Sequence, residues 1–373
     1  MNRKRRAIIT VLCAGILLLA LSGVPPITGQ QTPPGLAAED RVLLRIWAMN
    51  APGGGHAWLK QQLRAFEKQY PGISTWLRMV SAEELTAPET VLPDVVLYLP
   101  GDITAPDAFF LPLAGDAAAR GSSLLREELL RCGRWQNQQY GLPLCWGAWV
   151  LAIDSALEPG SAVTPAPTTL LGKPAATHSA STPAPGYPLA AAVQAECALQ
   201  APAGAALFTL PLLLEEYPPL PEDFAARSAG EVYAAFQRRQ CATAMLTTGQ
   251  VTALEGIVRS GGGFPFRAMV ADEIITDQVW LASVTKAAPP EAAQLLGFLA
   301  ATEAQQALSG QGLHTVRQDL SLYAAGLSAE VENAARRALT AINAYLPSDR
   351  VHQAAWQYFQ HHLSLDEAIL PLM

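Results

Sequence analysis

The chain has 373 residues, half of them hydrophobic, only 15% charged, with a formal net charge of -7. That length can bury one large core or two medium ones, so two lobes are the default expectation. The sparse and slightly acidic charge provides no footprint for nucleic acid or for an anionic membrane surface.

The N-terminus opens with Arg3, Lys4, Arg5 and Arg6, then an apolar run from Ala7 to Leu21, then small residues and prolines. This is the pattern of an export signal. Ala20 and Ser22 suit a signal peptidase, and the run is also long enough to stay as an uncleaved anchor over residues 7–24. Residues 1–23 are therefore read as a signal peptide or membrane anchor, and 24–40, polar and proline-containing, as a flexible spacer. Cys13 lies mid-run behind Leu12, the wrong place for a lipoprotein cysteine. Cys132, Cys145, Cys197 and Cys241 would reach an oxidising compartment, where three disulfide connectivities are open to them; buried small hydrophobes are the alternative.

Val42 to Met49 reads as a strand. After the loop Asn50 to Gly55, Leu59, Leu63, Phe66 and Tyr70 mark a helix that Pro71 and Gly72 end. Ile73 to Val80 and Val95 to Leu99 are two further strands, so the chain begins as an α/β sheet. Ligands of such sheets sit beyond the carboxyl ends of the strands, which singles out the loops Asn50 to His56 and Pro100 to Pro106. Around Tyr140 the pattern becomes a hairpin with its turn at Asn137 and Gln138, running on through Leu144 and from Trp149 to Ile153.

Residues 161–188 are Thr, Pro, Ala and Ser with scarcely a charge, a low-complexity insertion. Beyond it come a helix at Gly230 to Arg239, a strand at Ala242 to Leu246, a helical stretch opening at Thr247 to Gln250, and a break at Ser260 to Gly263. Val279 to Val284 is a strand, and Pro290 to Leu308, Ala329 to Tyr345 and Val351 to His362 are helical.

Several segments, in order, resemble the extracellular solute-binding family that contains the maltose- and oligosaccharide-binding proteins. They are LLRIWAMN with LKQQLRAFEKQYPGI, LPDVVLYLPGD, NQQYGLPLCWGAWVLAID, QCATAMLTTGQ, PPEAAQLLGFLAATEAQQALSGQGLHTVRQDL and LSLDEAI, spread from Arg41 to Ile369. The resemblance implies a two-lobed periplasmic-binding-protein fold of α/β class, with an interlobe ligand cleft and crossing hinge strands. Lobe 1 is expected at 41–140 plus 265–312 and lobe 2 at 141–264 plus 313–373. Two places depart from the pattern. Thr247, Thr248, Gly249 and Gln250 stand where oligosaccharide binders carry an aromatic residue, and Ile153, Asp154, Ser155 and Ala156 replace a Tyr-Asn-Lys-Asp signature.

A sugar site needs flat apolar rings and planar polar groups. Trp47 and Asn50 end the first strand, and Tyr98 and Asp102 end the third; Trp47 suits the core equally well. Trp146 and Trp149 flank the lobe crossing, one to line the cleft and one to pack beneath it, and Thr248 follows the lobe 2 strand. Trp280, after Thr276, Asp277 and Gln278, and Trp356 complete the ligand-binding candidates, both being weighed against a core role.

No catalytic residue, metal site or cofactor is expected. Gly53, Gly54 and Gly55 lack the rest of a phosphate loop and read as a pliable loop before a helix. His361 and His362 are helix neighbours whose side chains point apart, and Glu83-Glu84, Glu127-Glu128 and Glu215-Glu216 read as solvated faces. HExxH and GxSxG are absent, which argues against a hydrolase. The expectation is an exported, monomeric protein at the outer face of the cytoplasmic membrane or in the periplasm. It would hand a sugar-like solute to ABC importer permease subunits. The alternative is a tethered domain of the same fold that senses or docks rather than transports.

Overall fold

A computed structural model of the chain describes residues 41–87, 91–113, 124–156, 199–214, 224 and 226–373. The described residues from Val42 to Met373 fall in one compact unit. The expectations for the N-terminal 40 residues, the 161–188 insertion, Cys13, Cys197 and Glu215-Glu216 lie outside the described residues.

The parallel start of the first sheet follows from sequence. Strand β1 (Val42–Ala48) alternates so that Leu44, Ile46 and Ala48 are sealed, and the helix Gly55–Gln69 presses Trp58, Leu59, Leu63 and Phe66 into the core at helical spacing. Tyr70 to Gly72 turns the chain back into β2 (Ile73–Met79), which pairs with β1 in parallel from Val42–Ile73 to Ala48–Met79. β3 (Val95–Tyr98), buried throughout, joins the other side of β1.

The small hairpin β4 (Arg134–Trp135) and β5 (Gln138–Gln139) turns at Gln136 and Asn137, both with positive φ. That is one residue earlier than expected, because a two-residue loop between right-twisted strands needs both of its residues in the left-handed region. β6 (Leu142–Trp146) returns to the first sheet, and β7 (Trp149–Asp154) enters a second one. β8 (Leu199–Gln200), β9 (Thr243–Thr247) and β10 (Phe266–Met269) complete that second sheet in the order β10-β7-β9-β8. β11 (Ile274–Thr276) leads out of it, β12 (Val279–Val284) inserts antiparallel between β3 and β6, and β13 (His314–Thr315) pairs with β6 at the edge. The first sheet therefore runs β13-β6-β12-β3-β1-β2. β14 (Leu339–Ala341) pairs in parallel with β11.

Two sequence expectations are corrected here. The stretch Ala329 to Tyr345 is a helix only over Leu327–Arg337; Leu339, Thr340 and Ala341 find a strand partner in Ile274–Thr276, and pairing overrides the alanine-rich helical propensity. Pro290 to Leu308 is two helices, Glu291–Leu299 and Thr302–Gln306, separated at Ala301, whose backbone is extended. β6 belongs to the first sheet and β10 to the second, so the chain passes between sheets at Gly147-Ala148, at 270–278 and near β14.

The central strands of the second sheet, β7 and β9, are buried on both faces. Val150, Ala152, Ala244 and Leu246 join the core cluster that also fills the first sheet, while Trp149, Leu151, Ile153 and Met245 pack against the helices Ala206–Leu213 and Ser348–Phe359. Cys132, Cys145 and Cys241 are buried as thiols, and burial pushes the Cys132 and Cys145 thiols up, away from thiolate chemistry. No described helix is long and apolar enough to cross a membrane.

Candidate functional site

The carboxyl end of β1 meets the second sheet through glycines. The loop 50–54 carries Gly53 at φ 48° against the Cα of Gly249, which lies in the first turn of the helix Thr248–Arg259 following β9. Gly312, ahead of β13, also backs onto Gly249 and onto the carbonyl oxygen of Thr248. Gly54 N donates to the carbonyl of Gln311 at 3.4 Å. A β-carbon on Gly53, Gly249 or Gly312 would collide with backbone, so this seam brings main chain to main chain. The helix on the far side is capped locally: Thr247 Oγ accepts from Gln250 N, and Gln250 Oε1 accepts from Thr247 N at 2.9 Å, a complete capping box.

The crossing segments are tied together beside the seam. Gly147 N donates to Gln278 O at 2.8 Å, and Thr276 Oγ1 donates to Gly147 O at 2.7 Å. Asp277 accepts from Trp149 Nε1 at 2.8 Å, from Gln278 Nε2 at 2.9 Å and from Ala205 N at 3.1 Å. Its carboxylate thus sits at the N-terminus of the helix Ala206–Leu213, where the helix dipole favours an anion.

The structure distributes the predicted ligand-binding residues unevenly. Trp146 and Trp280 are sealed: Trp146 Nε1 donates to Thr315 O at 2.9 Å and its ring lies 4.6 Å from that of His314, while Trp280 packs beneath Gly55 and His56 with no partner for its indole N–H. Tyr98 is equally buried, stacked on Phe110 and hydrogen-bonded through its hydroxyl to Ser283 Oγ at 2.7 Å and Tyr345 OH at 2.9 Å. Burial pushes that phenol far above its usual range. These three rings are core in this structure because each β-strand position they occupy faces a covered side of the first sheet.

Trp149 is buried through its bond to Asp277, and Thr248 is buried at the seam with its amide donating to Ala148 O at 2.9 Å. Asn50 is exposed in the loop after β1. Asp102 accepts from Leu99 N at 2.9 Å, and burial raises its carboxyl above the usual carboxylate range. Its neighbour Gly101 approaches Ser348, the first residue of the helix that carries Trp356. Trp356 is half-buried, its ring 5.6 Å from Phe359. Trp47 lies away from the seam, on the flank of β1 beneath the guanidinium of Arg78.

Asn50, Thr248, Trp149 and Asp277 are thus grouped around the seam and crossings, and Asp102 and Trp356 lie near a second contact at Gly101 and Ser348. Sequence reasoning missed Gly249, Gly312 and Gln311 as the opposing surface. The signal was there in the run TTGQ, where a capping pair leads a glycine rather than a ring into the first turn. Among the described residues no cluster of three His, Cys, Asp or Glu side chains could hold a metal ion.

No protein-family model matches the sequence, and no curated protein matches it. Solved structures do match in three dimensions. The chain is similar to a maltose-bound MalE3 of T. maritima, with TM-score 0.57 and 16% identity over 89% of this chain and 98% of that one. It is likewise similar to the GacH receptor of Streptomyces glaucescens, with TM-score 0.59 and 14% identity over 88% and 96%. The maltose-maltodextrin binding protein of Alicyclobacillus acidocaldarius gives 0.56 and 13% over 88% and 98%. The chain accordingly has the two-lobed α/β fold of the solute-binding proteins, over nearly its whole described length.

Proposed function

We propose that the chain is an extracytoplasmic solute-binding protein that captures a small solute, a sugar or oligosaccharide, between its lobes and delivers it to an ABC importer. It performs no chemistry of its own. The observation that carries this reading is the fold shared, over 89% and 88% of the chain, with proteins whose structures were solved with maltose or acarbose. Three chain crossings between the two sheets are compatible with the hinge closure such proteins use. On this reading Asn50, Thr248, Trp149, Asp102 and Trp356 contribute to solute contact, and export begins from the basic and apolar N-terminal segment.

A second reading, a tethered domain that senses or docks without transporting, is favoured by one observation: the seam is occupied by the contacts of Gly53, Gly249 and Gly312. On the lobe 2 side of that contact stands Gly249, not an aromatic ring. Thermal melting of the full chain against mono- and oligosaccharides, amino acids and polyamines separates the two. A specific solute raises the midpoint by mass action, about 2.7 kcal/mol at a hundredfold excess over its dissociation constant. A saturating shift with a ligand-dependent change in radius of gyration sustains the transport reading; silence across the panel refutes it in favour of the second.

A further inference from the structure

The flank of the first sheet at β1 and β2 holds a groove of about 570 Å³, lined by Arg45, Trp47, Trp76, Arg78, Glu84 and Val91 among others. Its floor follows from strand alternation. Arg45 and Trp47 project from β1 on the face opposite Leu44 and Ile46, and their in-register partners on β2 are Trp76 and Arg78. The helix Gly55–Gln69 covers the other face, and β2 is the last strand of the sheet. Trp76 is 51% exposed, whereas Trp47 below it is 6% exposed.

The charges in this groove are matched. Arg45 is held by Asp94 through Nη2–Oδ1 at 2.9 Å and Nε–Oδ2 at 3.3 Å, and Arg78 pairs with Glu84 at 3.0 Å. The guanidinium of Arg78 also lies 5.3 Å from the Trp47 ring centroid, which fixes it as a planar donor beside the indoles. Two cations and two anions leave no net charge, so the groove exerts no overall pull on an anionic ligand such as a phosphate. A half-exposed indole flanked by fixed guanidinium and carboxylate groups matches instead a neutral ligand with an apolar face and a rim of hydroxyls. The volume falls within the range of small-ligand pockets, roughly 300–1,000 Å³.

We propose that this groove is a second carbohydrate-binding site, taking a pyranose ring of a neutral oligosaccharide on Trp76, with Arg78 and Glu84 bonding its hydroxyls. It is separate from the interlobe seam and does not depend on the solute-binding reading. The test is titration calorimetry of the full chain with maltotriose, cellotriose and mannotriose, with sialyllactose as the anionic comparison, repeated on Trp76→Ala and Glu84→Gln. Trp76 is exposed enough that its removal spares the fold, which a melting curve checks. At least one neutral trisaccharide is expected to bind, at least tenfold more weakly to Trp76→Ala, with no gain for the anionic sugar. Binding that persists unchanged in Trp76→Ala and changes the radius of gyration in solution scattering overturns the groove while supporting the cleft. Binding lost in Trp76→Ala without any such change sustains the groove even if the cleft reading fails. Failure of all three neutral sugars to bind overturns the proposal, as does capture of an extended peptide on the β2 edge that Trp76→Ala abolishes and trisaccharide does not displace.

Discussion

Placing a single methyl at Gly249 tests whether the seam is closed through backbone contact. Gly249 and Gly256 both lie in the helix Thr248–Arg259, but a β-carbon at 249 meets the Cα and amide of Gly53, whereas one at 256 meets nothing within 4 Å. Replacing glycine by alanine inside a helix is worth about 0.5–1 kcal/mol in favour of the folded state. Gly256→Ala should therefore raise the midpoint by roughly 1–4 °C, at about 2–4 °C per kcal/mol for a chain of this size. At Gly249 the same gain is set against overpacking, which costs about 1–3 kcal/mol where the neighbour cannot move aside. Gly53 offers main chain, not a flexible side-chain tip, so it yields only by moving its loop or by parting the two lobes. The net expectation for Gly249→Ala is a loss of roughly 0.5–2 kcal/mol from the closed form. Calorimetric melting combined with solution scattering reads both routes, as a lower midpoint or as a larger radius of gyration. If Gly249→Ala melts at or above the wild type with an unchanged radius, the lobes do not meet through these glycines.

Trp146→Phe and Trp280→Phe remove similar volume, but only the first breaks a hydrogen bond, to Thr315 O; the second removes a buried N–H that has no partner. Trp146→Phe should therefore cost about 1–2 kcal/mol more in chemical denaturation. Asp94→Ala strips the buried carboxylate from Arg45 Nε, Nη2 and backbone N and should cost about 1.5–3 kcal/mol, with Arg45 spared part of the penalty by its exposure to water. Acid should weaken the fold through His314. Burial holds this imidazole below its usual range, against the opposing pull of Glu332 3.8 Å away, so the unfolded chain binds its proton more readily. Its contribution is complete above the unfolded value near 6.5 and is lost as pH falls below it, so the drop in melting midpoint between pH 7.5 and 5.5 should shrink in His314→Phe. An equal drop in the variant would refute that assignment.

Elements whose signal is local were readable. The helix from Gly55 declares itself through Trp58, Leu59, Leu63 and Phe66, and β12, apolar except for Ser283, emerges at the expected residues. β14 was not readable, because Leu339–Ala341 continues an alanine-rich helical pattern and becomes a strand only by meeting Ile274–Thr276, over sixty residues away. The sheet to which a strand belongs is hidden for the same reason. Nothing in the wording of Leu142–Trp146 distinguishes a strand of the first sheet from one of the second; its partners β12 and β13, far along the chain, decide it.

The candidate site shows why aromatic residues are poor guides when strand faces are unknown. Tyr98, Trp146 and Trp280 stand at strand ends as a ligand site requires, yet alternation turns each into a covered face, where Phe110, His314 and Gly55 close over them. Trp47 and Trp76 differ from those three in one respect: the face they share lies at the sheet's edge, where no further strand follows β2. Residues with no chemistry of their own then decide the seam. Gly53, Gly249 and Gly312 allow main chains to touch where a ring would hold them apart, so any solute must first separate them and its affinity is reduced by the free energy of that contact. Gly249→Ala, by weakening that contact, should therefore strengthen rather than weaken the binding of any solute that enters the cleft.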